Sequence, residues 1–302
     1  MEVAARTEPG LQQRQHSDAH LAESIAPNVV LLAVADGFGR VSRGLPTAQS
    51  ALASLRDYLR RRQRVGSYAR NASPSSLRTL MLAALDHANR RLFDESGSHE
   101  DYVGSGTSLT AALVVGGHAL VGHVGDARAY LLRLGNVEPL TVDDAMFADA
   151  TVASAKSSRS AQPRPRGVLW RTLGTQSKLE ASIAHVELFP DDQVLLCTDG
   201  VHRALDDDEL GDALLHGDTA SDVVARVLAL ARGRGTFDDL TLVVGRDPLG
   251  PTPLIKAGAP RAGIRVFVAL GMLIIALLSF GSYALQHPFP DQAQNVSGAH
   301  TR

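Results

Sequence analysis

The sequence contains almost no cysteine and almost no net charge. Its single cysteine, Cys197, excludes a disulfide framework and indicates that the folded part of the protein lies in a reducing compartment. The formal net charge is −2 and the basic residues are scattered, so composition gives no support for nucleic-acid binding. Residues 1–20 are polar and lack the apolar segment of a signal peptide. With 302 residues, 44% of them hydrophobic, the chain can still bury a substantial core.

One long apolar run, VFVALGMLIIALLSFGSYAL, stands near the C-terminal end of the sequence. A helix of about 20 uncharged residues covers the hydrocarbon core of a bilayer, whereas buried core helices are usually shorter and carry a polar stripe. Lys256, Arg261 and Arg265 precede the run, and no basic residue follows it before Arg302. We therefore predict a transmembrane helix over 265–285 in a single-pass inner-membrane protein, with the N-terminal part in the cytoplasm.

The segments on either side of this run complete the predicted domain organisation. Residues 1–247 have the composition of a folded domain. Residues 248–264 are rich in proline and glycine, which is typical of a linker. Residues 286–302 then form a short extracytoplasmic tail. Within the folded domain, residues 154–167 have a loop composition and are predicted to form a surface flap.

The hydrophobic periodicity of the folded domain predicts both strands and helices. Strands are predicted at 29–35, 108–115, 119–124, 128–133, 193–197 and 240–245. Helices are predicted at 46–63, 76–95 and 219–232. The strands between residues 108 and 133 follow one another through short turns, which indicates an antiparallel meander. The fold class is therefore α+β, with antiparallel sheets covered by helices.

Acidic residues stand at the ends of three predicted buried strands. Asp36 and Gly37 follow VLLAVA, Asp199 and Gly200 follow QVLLCT, and Asp238 precedes LTLVV. An Asp-Gly pair is commonly only a hairpin turn. A carboxylate at the end of a buried strand is nevertheless costly unless it is paired. The three strand ends could therefore converge on a cation, with the glycines allowing tight turns beside it.

Five segments resemble motifs of the metal-dependent (type 2C) protein serine/threonine phosphatases. The segments ADGFGR, GSGTSLTAAL, GDARAYLLR, LLCTDGV and FDDLTLVV are similar to the family's DGMGG or DGHGG, MGTTL, GDSRAY, LLCSDGL and DNxTVVV. They occur in the family's order over roughly residues 10–247. The resemblance implies a bacterial, membrane-anchored member whose residues 1–247 form the catalytic domain. It also implies a four-layer α-β-β-α sandwich of two antiparallel sheets flanked by helices.

The resemblance further implies a centre of two Mn²⁺ or Mg²⁺ ions. Asp36 would bridge both ions, the carbonyl of Gly37 would bind one of them, and Asp199 and Asp238 would complete the other. Asp18 matches an acid that touches the centre through metal-bound water. In such a centre a hydroxide that bridges the ions attacks phosphorus, so no protein nucleophile is needed.

Several positions depart from the family's motifs. Arg14 is predicted to bind the phosphate, although Gln13 stands at the family's spacing and a solvated loop Arg is the alternative. Asp126 is either the ligand of a third ion or a turn aspartate, and Arg203 replaces an acid that some relatives add at that ion. Asp239 replaces the family's Asn and is either a further ligand or a turn-forming acid.

The resemblance favours a phosphatase that hydrolyses phosphoserine and phosphothreonine. Its expected partners are phosphorylated proteins, possibly including a membrane serine/threonine kinase, and no nucleic acid is expected. The alternative is a catalytically weak pseudophosphatase that serves as a binding or scaffold module. A small-molecule phosphohydrolase is a third possibility. Because Asp36, Gly37, Asp199 and Asp238 are all present, the enzyme is the leading hypothesis.

Overall fold

The computed structural model describes residues 1–11, 16–39, 44–61, 73–98, 100–146 and 167–246. Gln13 and Arg14 lie outside these ranges, as does the flap at 154–167 apart from Gly167. The predicted linker, transmembrane helix and tail also lie outside them. Within the described ranges, no helix is both long and apolar enough to span a membrane.

The described residues form twelve strands and five α-helices. The strands are β1 (Glu2–Glu8), β2 (Asp18–Ala26), β3 (Val29–Phe38), β4 (Gly106–Val115), β5 (His118–Val124), β6 (Arg128–Arg133), β7 (Asn136–Pro139), β8 (Ala145–Met146), β9 (Val168–Leu169), β10 (Ser182–Glu187), β11 (Gln193–Cys197) and β12 (Leu240–Arg246). The helices are α1 (Gly44–Arg61), α2 (Pro74–Ser98), α3 (Asp199–Ala204), α4 (Asp207–Leu215) and α5 (Ala220–Gly233). Every strand and helix predicted from periodicity is therefore present, with ends that differ by at most three residues.

Ten of these strands build two antiparallel sheets. The first sheet has the order β1-β12-β11-β6-β7, and the second has the order β10-β5-β4-β3-β2. The short strands β8 and β9 pair separately. Sequence reasoning found the central strands of both sheets and missed the four edge strands, β1, β7, β10 and β2. The sequences of these edge strands mix polar and apolar residues, and parts of the strands are exposed. They therefore lack a continuous apolar run.

Three hydrophobic cores separate four layers. Residues such as Val34, Leu131 and Leu196 fill the space between the two sheets. The outer face of the second sheet packs on α1 and α2, and the outer face of the first sheet packs on α3, α4 and α5. Cys197 is fully buried in this last core, and burial raises the pKa of its thiol, so it acts as a core residue. The predicted α+β fold with two antiparallel sheets flanked by helices is confirmed.

Side-chain caps fix where α4 and α5, the two longer helices that pack on the first sheet, begin. At α4, Asp206 accepts a hydrogen bond from the Glu209 amide, and the Glu209 side chain accepts one from the Asp206 amide. Thr219 and Asp222 form the same reciprocal cap at α5. Each cap satisfies amides that have no partner inside the helix.

Candidate active site

Asp18 and Asp36 face each other on neighbouring strands of the second sheet. They are register partners in the β2–β3 pair, and both are buried. The turn expected at Asp36 and Gly37 is wrong, because β3 continues to Phe38 with Gly37 paired to Thr107 of β4. Thr107 Oγ1 donates to the Asp36 carbonyl at 2.8 Å, and the Gly37 amide donates to the Ser17 carbonyl at 3.1 Å. These bonds keep the strand extended past the acid.

Asp199 and Gly200 begin a helix rather than forming the expected turn. Asp199 is the first residue of α3, directly after the strand end at Cys197 and the cap residue Thr198. A Cβ atom on Gly200 would lie 2.0 Å from the Asp239 carbonyl oxygen and 3.3 Å from Asp238 Cβ. Only glycine therefore allows the start of α3 to pack against the segment that carries Asp238.

Asp199 and Asp238 both pair with Arg203. Nη1 of Arg203 lies 3.2 Å from Oδ2 of Asp199 and 3.4 Å from Oδ2 of Asp238. Arg203 stands one helical turn after Asp199 on α3, a spacing that places the two side chains on one face. The two predicted ligands of one ion are thus within reach of one positive charge.

A hydrogen bond joins the two sheets at the site. Thr198 Oγ1 donates to Oδ2 of Asp18 at 2.7 Å, and Thr198 directly precedes Asp199. The pKa of Asp18 is raised to about 8, chiefly by burial; the nearby acids Asp239 and Asp199 contribute to the rise, and the hydrogen bond from Thr198 opposes it. The protein therefore places Asp18 among other acids with little compensating charge, an arrangement that a bound cation would stabilise.

The donor set fits hard divalent cations. Asp18, Asp36, Asp199 and Asp238 offer only oxygen atoms, which are the ligands that Mg²⁺ and Mn²⁺ prefer. Within the described ranges, no three His, Cys, Asp or Glu side chains are already gathered as a ligand cage. The acids instead form two pairs, one across β2 and β3 and one bridged by Arg203, linked through Thr198.

The Gly125–Asp126 turn lies beside this centre. Gly125 has φ of +102°, and a Cβ atom there would lie 2.4 Å from Cβ of Ser108, the β4 partner of Asp36. Asp126 is buried, and its carbonyl accepts a hydrogen bond from Nε2 of His202 at 2.8 Å. Burial lowers the pKa of His202 to about 4, so the ring stays neutral at pH 7. His202 thus positions this turn from within α3.

Asp144 anchors the same turn from the other side. Its Oδ2 accepts a hydrogen bond from the Gly125 amide at 3.0 Å, and its carboxylate also binds the guanidinium of Arg171 through two nitrogen atoms. The Trp170 amide donates to the Asp144 carbonyl at 3.0 Å. Asp144 thus connects the turn to the segment that follows the predicted flap. The third ion at Asp126 stays a prediction.

Asp239 has a role that the sequence did not indicate. Its Oδ1 accepts from the Gly10 amide at 3.1 Å, and its Oδ2 accepts from the Ser17 amide at 2.7 Å and lies 3.2 Å from Nδ1 of His16. These bonds hold residues on both sides of the segment that contains Arg14. Asp239 therefore ties the N-terminal strands to the site, and a role as a further metal ligand stays a prediction.

A groove of about 410 Å³ opens at Phe38, two residues after Asp36. Phe38, one residue after Gly37, forms one wall, and residues between Gly167 and Gln176 form the other. Trp170 in the second wall is half exposed, and its ring stacks on the Arg171 guanidinium 4.5 Å away. The groove thus lies between the end of β3 and the segment that follows the predicted flap.

Sequence reasoning identified the acids of the site but missed the residues that hold them. Thr198, Asp144 and His202 are buried polar side chains whose hydrogen bonds reach distant parts of the chain. Thr198 and His202 flank the Asp199–Gly200 pair, which was a usable signal because a polar residue beside a buried strand needs a partner. Asp144 offered no such signal, since it lies in an irregular segment outside every motif.

Comparison with known proteins places these features in one family. The family model described as protein phosphatase 2C matches residues 12–240. The chain is 29% identical to the serine/threonine protein phosphatase PstP of Mycobacterium tuberculosis over 86% of its own length and 48% of the relative's. It is 26% identical to the serine/threonine phosphatase stp of Listeria monocytogenes over 82% of its length and 96% of that protein's. The chain thus spans about half the length of the mycobacterial relative and nearly all of the listerial one.

A solved structure gives the same result. The crystal structure of the Mycobacterium tuberculosis serine/threonine phosphatase PstP/Ppp superposes with a TM-score of 0.65 at 28% identity. The superposition covers 81% of this chain and 97% of the solved chain. The similarity therefore extends over the whole of that solved domain.

Proposed function

Because the chain belongs to the protein phosphatase 2C family, we propose that it hydrolyses phosphoserine and phosphothreonine in proteins with the help of two Mn²⁺ or Mg²⁺ ions. The observation that carries the proposal is the buried group of acids at which the two sheets meet. Asp18 and Asp36 pair across β2 and β3, and the Thr198 bond connects them to Asp199 and its neighbour Asp238.

Each residue of the centre has a separate task in this proposal. Asp36 and the Gly37 carbonyl would hold one ion, and Asp36, Asp199 and Asp238 would hold the other. When bound, such ions activate water and neutralise charge on a phosphoryl group. Asp18, held by Thr198, accepts hydrogen bonds from groups at the centre and orients them. Gly200 sets the distance between the two acids of the second ion.

The groove beside Phe38 supports a protein substrate over a small metabolite. Its walls include the half-exposed ring of Trp170, which offers apolar contact area to side chains on either side of a phosphorylated residue. Arg14 is proposed to bind the phosphate, because the bonds of Asp239 to Gly10 and Ser17 fix both flanks of its segment at the site.

A direct assay separates these substrate classes. The purified chain is incubated with Mn²⁺ and either a phosphothreonine peptide or a panel of phosphorylated metabolites, and phosphate release is measured. We expect release from the peptide that stops when a chelator is added. Faster release from a metabolite than from any phosphopeptide would replace the proposal with a small-molecule phosphohydrolase.

The pseudophosphatase alternative is favoured by one observation. Arg203 already pairs with Asp199 and Asp238 and offsets part of their charge, so the fold could persist as a binding module without the second ion. The two candidates differ in turnover: a binding module would retain a phosphopeptide without releasing phosphate at any Mn²⁺ concentration.

We further propose that residues 265–285 anchor the protein in the inner membrane with the phosphatase domain in the cytoplasm. The support is the uncharged run of this segment and the basic residues just before it, with none after it before Arg302. In that location the domain would act on cytoplasmic phosphoproteins, a membrane serine/threonine kinase among them. The test is a reporter fused after Arg302, which should report an extracytoplasmic position. A cytoplasmic signal, or release of the protein from membranes by high salt, would refute the single span.

A further inference from the structure

Arg203 lies where a divalent cation would have to bind. Nη1 is within 3.4 Å of one carboxylate oxygen of Asp199 and one of Asp238, and these two acids are the proposed ligands of the second ion. An ion bound directly to these oxygens would approach them to about 2.1 Å. It would then lie in the space around Nη1, and two cations cannot share that space without strong repulsion.

We propose that Arg203 is a built-in counter-cation that closes the second metal position in the metal-free protein and moves out when the ion binds. The inference rests on the two-ion centre of the proposed function and adds a competition between a side chain and an ion. Its consequence is that the affinity for the second ion is set partly by the strength of the Arg203 ion pairs.

The surroundings of Arg203 favour a strong interaction in the closed state. The side chain of Asp199 is 2% exposed and that of Asp238 is 15% exposed, so water screens neither carboxylate well. Removing the guanidinium would leave two acids close together, with buried Asp18 and Asp36 nearby. Arg203 therefore stabilises the metal-free fold by reducing repulsion within this group.

The same surroundings allow Arg203 to leave. Its side chain is 21% exposed, so rotation about its own bonds can carry the guanidinium to solvent. The backbone of α3 has no such freedom, because Gly200 packs against the Asp239 carbonyl with no room for a Cβ atom. The exchange between guanidinium and ion is thus a movement of one side chain over a fixed pair of acids.

The position of Arg203 also explains why no ligand cage is preformed among the described residues. Asp199 and Asp238 point to a guanidinium nitrogen, and hydrogen bonds of 3.2 and 3.4 Å hold oxygens farther from a shared centre than metal–oxygen bonds would. Displacement of Arg203 is therefore part of assembling the centre.

The experiment measures Mn²⁺ binding to the full chain by titration calorimetry, in the parent protein and in Arg203→Met. Methionine keeps much of the apolar stem and removes the charge. We expect the weaker Mn²⁺ site to tighten about tenfold or more, since the ion no longer displaces a charge-assisted pair. The melting temperature of the metal-free protein should fall, and Mn²⁺ should raise it by more than in the parent.

Arg133→Met is the matched control. Arg133 also forms an ion pair with a buried acid, because its Nε and Nη2 atoms both bond to the carboxylate of Asp192. Arg133 lies at the end of β6, away from the acidic centre. This variant should lose stability without any change in Mn²⁺ affinity. Unchanged or weaker Mn²⁺ binding by Arg203→Met would overturn the inference even if the parent protein is an active phosphatase.

Two further outcomes keep the inference separate from the proposed function. A second Mn²⁺ that binds only after Arg203→Met would support the inference and count against activity of the parent chain. If the variant fails to fold, a crystal structure of the parent protein with Mn²⁺ decides. Nη1 should then no longer be within hydrogen-bond distance of Asp199 or Asp238, and a guanidinium still bonded to both acids beside two ions would overturn the inference.

Discussion

Replacement of Gly200 by alanine tests how closely the acids of the centre are positioned by backbone packing. The added Cβ would lie 2.0 Å from the Asp239 carbonyl oxygen, whereas real Cβ contacts almost never fall below 3.0 Å. The start of α3 and the Asp238–Asp239 segment must therefore separate by about 1 Å. Since the obstacle is backbone, no side-chain rotation can relieve it.

The expected cost follows from that displacement. Overpacking of this kind costs about 1–3 kcal/mol of unfolding free energy. A shift of about 1 Å between groups that act together can lower a rate about 100-fold. Gly200→Ala should therefore lower phosphate release from a phosphothreonine peptide by roughly two orders of magnitude and lower the denaturation midpoint in urea.

Gly233→Ala is the control for this change. Gly233 is the last residue of α5, and a Cβ there would meet no atom within 4 Å. That variant should keep full activity and be as stable as the parent or slightly more so, because alanine restricts the unfolded chain. If Gly200→Ala matched Gly233→Ala in both assays, the close approach of α3 to Asp239 would not control the site.

Three further predictions concern residues around the centre. Unfolded His202 would take up a proton near pH 6.5, whereas the folded ring does so only near pH 4. The free energy of unfolding should therefore decrease as the pH is lowered from 7 towards 4, and at pH 5 this loss should be about 2 kcal/mol. Urea unfolding at pH 7 and at pH 5 measures this loss, and His202→Gln should remove it. A variant with the same pH dependence as the parent would contradict the burial argument. Asp239→Asn should lower stability in chelator by about 1–3 kcal/mol, since asparagine keeps only one of the two oxygens that accept from the Gly10 and Ser17 amides; an unaltered melting temperature would refute this anchor. Cys197→Ser should cost stability yet leave turnover per folded molecule unchanged, and a loss of turnover would implicate the thiol.

The central strands could be predicted from the sequence because they are buried on both faces. β3, β4 and β11 are buried along almost their whole length, and each contains a continuous apolar run, such as AALVV in β4. The edge strands β1 and β10 carry exposed polar residues, and no continuous run distinguishes them from loops. Their pairing depends on partners far along the chain, as in the register of Glu2 with Arg246.

The acids of the site could also be predicted, but not the network that holds them. Asp36, Asp199 and Asp238 stand in recognisable motifs. The contact of Arg203 with Asp238 spans 35 positions, and that of Asp239 with Ser17 spans 222. Such contacts are set by how the two sheets pack, which no local pattern encodes. The same packing turns the expected Asp-Gly turns into a continuing strand at Gly37 and a helix start at Gly200.

Replacement of Asp36 by asparagine tests the two-ion phosphatase most directly. The substitution keeps the size of the side chain and removes the charge that is proposed to bridge both ions. Mn²⁺-dependent phosphate release from a phosphothreonine peptide is measured for the parent chain and for Asp36→Asn, each with and without excess chelator. We predict that the parent is active only with Mn²⁺ and that Asp36→Asn is inactive at every Mn²⁺ concentration. Parent turnover that persists in chelator, or an active Asp36→Asn chain, would contradict the account.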